Sequence, residues 1–96
     1  MGETMPRYVI ERNLPSGLTE ADIDDAARRI VAVNSTMDGV RWIHSNLAVD
    51  RSRLFDEYEA TSPAALREAA RLAEIPCDTI TEVREVHPDA YTRHTW

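Results

Sequence analysis

Residues 40–59, VRWIHSNLAV-DRS-RLFDEYE, decide the fold. Two runs rich in branched and aromatic side chains flank the short polar break Asp50-Arg51-Ser52. Val40 to Val49 therefore reads as one strand and Arg53 to Glu59 as the next, joined as a β-hairpin. Outward on the N-terminal side, Thr19-Glu20-Ala21-Asp22 has the form of a capping box, a hydroxyl followed three residues later by an acid. Ile23, Ala26, Ala27, Ile30, Val31 and Met37 then recur at helical spacing, and Gly39 is the expected stop. Outward on the C-terminal side, Ser62-Pro63 supplies a cap and a first-turn proline for a helix ending before Pro76. Its apolar stripe is Leu66, Ala69, Ala70 and Ala73.

Each helix is flanked by one more strand. Residues 6–12 form the first, closed by the turn residues Asn13 to Gly17, and residues 79–87 form the fourth. The order β-α-β-β-α-β implies an α+β, ferredoxin-like fold: a four-stranded antiparallel sheet, order 4-1-3-2, with two helices on one face. The expected domain is 5–87. Residues 1–4 read as a leader or tag remnant, and 88–96 as a C-terminal tail carrying His94.

Ninety-six residues allow one domain with a modest core, so a second copy covering the open sheet face would add apolar burial. A homodimer through that face is expected. The net charge of −6 and the scattered arginines speak against a nucleic-acid partner, which needs clustered basic residues. No apolar run approaches a membrane span. The lone Cys77 rules out an internal disulfide and fits a reducing cytoplasm. Phosphate loops, nucleophile elbows and Rossmann glycine patterns are absent, so no catalytic residue is assigned.

Strand alternation selects the candidate site. Tyr8 and Ile10 favour the core, which leaves Val9 and Glu11 on the open face. The phase opposite to Leu54 and Tyr58 presents Phe55 and Glu57 there. With Ile43, Leu47 and Val49 facing the helices, Trp42, His44 and Asn46 would lie outside. Glu11, Glu57 and His44 then form a row across the sheet, and a one-residue slip would put Asp56 in place of Glu57. Two carboxylates and an imidazole suit a divalent ion of the nickel or zinc type. The same groups serve equally as an acid–base set in a cavity between two open sheets, with Trp42 as a wall, as in a dimeric α+β-barrel small-molecule module or cofactor-free enzyme. Ordinary surface ion pairing is the third reading.

From Met5 to Val86 the chain resembles a family of small bacterial, largely actinobacterial, nickel-binding proteins. The stretches that carry the likeness are Pro6 to Pro15, Arg41-Trp42-Ile43-His44-Ser45, Glu57-Tyr58-Glu59-Ala60, Leu66-Arg67-Glu68, Ile75-Pro76 and Ile80-Thr81-Glu82-Val83. The resemblance implies a ferredoxin-like fold, a homodimer, and nickel or another divalent transition metal as the bound group. Two departures concern ligand types. Ala69 stands where relatives commonly carry histidine, and Asp56 where they often carry cysteine. Exchanging a thiolate for a carboxylate favours a harder ion.

Overall fold

The computed structural model describes residues 5–92. Strand β1 (Arg7–Asn13) leads to helix α1 (Glu20–Asn34). The hairpin β2 (Val40–Leu47) and β3 (Arg53–Ala60) follows, then α2 (Pro63–Ala73), β4 (Thr79–Val83) and a short α3 (Asp89–Thr92). All neighbouring strands pair antiparallel in the order β2-β3-β1-β4, which read from the other edge is the expected 4-1-3-2.

Local chemistry places both helix starts. Thr19 Oγ1 accepts from the Asp22 amide at 3.2 Å while Asp22 Oδ2 accepts from the Thr19 amide at 2.9 Å. That reciprocal pair satisfies two amides that have no partner within the helix. Ser62 Oγ accepts from the Ala65 amide at 3.2 Å, with Pro63 in the first turn. α2 ends on Glu74, whose left-handed backbone (φ 59°) turns the chain back so that the Ile75 amide donates to the Ala70 carbonyl at 3.1 Å.

Some boundaries differ from the sequence reading. α1 stops at Asn34 rather than near Gly39, and Met37 lies beyond it. Gly39, at φ +85°, instead swings the chain into β2. A side chain there would meet Thr61 Oγ1 at 2.9 Å, so the position demands glycine on both counts. β2 ends at Leu47, and Val49 is fully exposed in the turn, where the Arg51 amide donates to the Ala48 carbonyl at 2.8 Å. β4 ends at Val83, since β1 offers pairing only as far back as Arg7. The tail holds the single turn of α3, with the His87 imidazole accepting from the Asp89 amide at 3.2 Å. His94 lies outside the described residues.

The core lies between the sheet and the two helices: Tyr8, Ile10, Tyr58 and Ala60 from the strands, Ile30 from α1, and Leu66 and Ala73 from α2. Ala69 belongs to it, 6% exposed on the inner face of α2. Trp42 also packs here, its ring stacked on Tyr58 with centroids 6.5 Å apart. This corrects the expectation that Trp42 faces outward. Trp42 pairs with Tyr58, but His44 pairs with Glu57, so Ile43 is an extra residue in β2. Such a bulge reverses the alternation, and Trp42 and His44 end on opposite faces.

Candidate functional site

The open face is a lattice of charges. His44 Nε2 stands 3.3 Å from Glu57 Oε1, and the other Glu57 oxygen accepts from Arg7 at 3.1 Å. Arg7 also reaches Glu85 at 3.1 Å and Glu59 at 3.6 Å. Glu59 in turn accepts from Arg41 at 2.9 Å, a bond that holds its carboxyl below the usual range. The imidazole is half exposed and Glu57 is largely covered, so an ion arriving from solvent meets His44 first.

The four residues selected from the sequence are placed differently. His44 and Glu57 meet directly. Glu11 shares their face but stands opposite Phe55, while Val9 is the residue opposite Glu57, and the Glu11 carboxylate is taken by Arg53, whose guanidinium lies over Phe55 at 5.2 Å. Asp56 lies on the other face of the sheet, its side chain fully buried. Among the described residues no group of three or more His, Cys, Asp and Glu side chains comes together with metal-ligand spacing. One chain therefore offers an imidazole–carboxylate pair, a donor set suited to nickel but incomplete.

On the helix-covered face, Asp56 anchors a network not anticipated from the sequence. Arg12 Nε donates to Asp56 at 2.6 Å, and the same guanidinium donates to the Pro76 carbonyl. Ser45 donates to the second Asp56 oxygen and accepts from the Trp42 indole at 2.7 Å. Both charged side chains are at most 2% exposed. Burial of such a pair is tolerated only with this level of hydrogen bonding. The signal was present in the alternation, since Arg12 is in phase with Tyr8 and Ile10, and Asp56 with Leu54 and Tyr58. Cys77 sits close by, and burial pushes its thiol up, with Arg12 and Arg67 opposing. That is the environment of an unreactive cysteine.

Above this network, between α1 and the sheet, opens a cleft of about 520 Å³. Its walls include Leu14, Leu18, Ile23, Leu47 and Leu54, with Arg12, Trp42 and Ser45 deeper in. Among the described residues, no helix is long and apolar enough to cross a membrane.

Comparison with known proteins places this chain in a family. A search of curated proteins finds no match. The crystal structure of SCO4226 from Streptomyces coelicolor A3(2) superposes with a TM-score of 0.73 at 17% identity, covering 84% of this chain and 99% of that one. At that identity the likeness shows the shared fold. The family model described as nickel responsive protein SCO4226-like matches residues 8–83, from the second residue of β1 to the end of β4. The chain belongs to the SCO4226-like family of nickel responsive proteins.

Proposed function

We propose that this chain binds nickel, or a closely similar divalent transition ion, on its open sheet face through His44 and Glu57, as a homodimer in the reducing cytoplasm. The carrying observation is the 3.3 Å approach of the imidazole to a carboxylate on a face that no helix among the described residues covers, in a chain of a nickel responsive family. Imidazole nitrogen with carboxylate oxygen is a donor pair that nickel accepts. Two donors do not make a complete site. The same pair from a second copy, packed open face to open face, supplies the remainder, with Glu11 at the edge of the donor set. Val9 and Phe55, partly buried on that face, give the contact an apolar component. Arg7 competes for Glu57 and must yield to the ion, which sets an upper limit on affinity. Asp56, committed to Arg12 on the far face, supports β3 from behind.

The test is calorimetric titration of untagged protein with nickel, comparing wild type with His44→Ala. Wild type should bind at micromolar strength or better. The variant should lose more than the roughly 10–100-fold that loss of an outer-shell partner costs, with unchanged circular dichroism. Undiminished binding in the variant would move the site elsewhere, and absence of binding by the wild type would overturn the metal reading.

A further inference from the structure

The cleft beside α1 lies on the opposite side of the sheet from His44 and Glu57, and no metal reading uses it. Its 520 Å³ far exceeds the water-sized voids of a packed interior and falls within the ~300–1,000 Å³ of small-molecule sites. Packing explains the opening. α1 rests chiefly on α2 and touches the sheet mainly along β2. Of its apolar stripe only Ile30 is buried, so Ile23, Ala26 and Ala27 line the cleft instead of packing on strand residues. A helix normally buries such a stripe. Here the space facing it is left for something else.

The charges say what that is. On the floor, Arg12 is neutralised by Asp56. At the mouth, Arg29 is neutralised by Asp25 and donates to the Ala73 carbonyl at 2.9 Å. Asp22 and Glu74 remain, and neither forms an ion pair within the described residues. The Thr19 amide and hydroxyl hold Asp22 below the usual carboxylate range, so it is ionised at neutral pH. The α1 N-terminus contributes about half a positive charge, but with Glu20 paired to Arg51 and Asp25 to Arg29, Asp22 and Asp24 still outweigh it at that end. At Glu74 the C-terminal end of α2 adds about half a negative charge. The mouth is therefore anionic and the interior apolar.

We propose that this cleft binds an apolar molecule carrying one protonated amine, its hydrocarbon lying between α1 and the sheet and its ammonium group at the mouth beside Asp22 and Glu74. Carboxylate-headed molecules of the same length are repelled there, and neutral ones bind through the hydrocarbon alone. The site is independent of the open face.

Three probes of equal chain length separate head from tail: n-octylamine, 1-octanol and octanoate. Each is titrated against the full chain in a Trp96→Phe background, so that Trp42 emission alone reports. Octylamine should bind saturably and about tenfold or more tighter than octanoate, as two exposed carboxylates that attract one head group and repel the other allow, with octanol between them. That preference should shrink as salt is raised. In Asp22→Asn/Glu74→Gln, octylamine should fall to the octanol affinity while octanol is unchanged, a result that needs no change in packing. Ala26→Phe should weaken all three by filling the cleft, and His44→Ala should alter none. Equal affinities of octylamine and octanoate, a preference that survives the double charge variant, or no saturable binding would each overturn the proposal.

Discussion

Arg12 and Asp56 meet across β1 and β3 with side chains at most 2% exposed, and neither can be removed alone without leaving its partner charged in the interior. Asp56→Ala should therefore destabilise the fold by about 3–5 kcal/mol, well above the median for a surface pair. Urea unfolding with an unchanged slope would check it. A loss below about 1 kcal/mol would mean that water reaches Arg12 along the cleft. By contrast, the pairs on the open face keep contact with solvent, and replacing one of them should matter for binding more than for stability. A carboxylate thus does different work on the two faces: Asp56 holds the strands, and Glu57 faces outward one position later.

Helices and strands differ in how much of their geometry neighbouring residues determine. α1 starts where Thr19 and Asp22 cap each other, a bond spanning three residues. β2 instead depends on a bulge set by its pairing with a strand some ten residues on. Deleting Ile43 should give a regular ladder in which Trp42 and His44, now adjacent, keep their opposite faces. The expected outcome is a folded protein that still binds nickel, measured by the same titration beside a thermal melt. Loss of binding in a folded deletion variant would show that the bulge itself, and not the pairing of His44 with Glu57, positions the imidazole.

For the whole molecule, the unequal treatment of the two sheet faces organises the proposed activities. One face carries the core, the buried network and the cleft, and the other carries the charge lattice with His44. If two copies pair through the open face, Phe55 lies in the contact, and Phe55→Lys should shift the protein to monomer and weaken nickel binding together. Sedimentation velocity with and without nickel reads both species. A monomeric variant that binds nickel with wild-type affinity would confine the site to one chain.

The sequence by itself determined the order of elements, both helix caps, the hairpin and the strand order, because these follow from signals within a few residues and from the few ways a βαββαβ chain can close. It also placed Glu11, Glu57 and His44 on one face. Only the tertiary structure decided which of them touch. Glu57 reaches His44 and Arg7 while Glu11 goes to Arg53, since partners across a sheet depend on register between segments far apart in the chain. The bulge at Ile43 and the burial of Arg12 against Asp56 are of the same kind. Each depends on what lies opposite in space, which alternation along one strand does not contain.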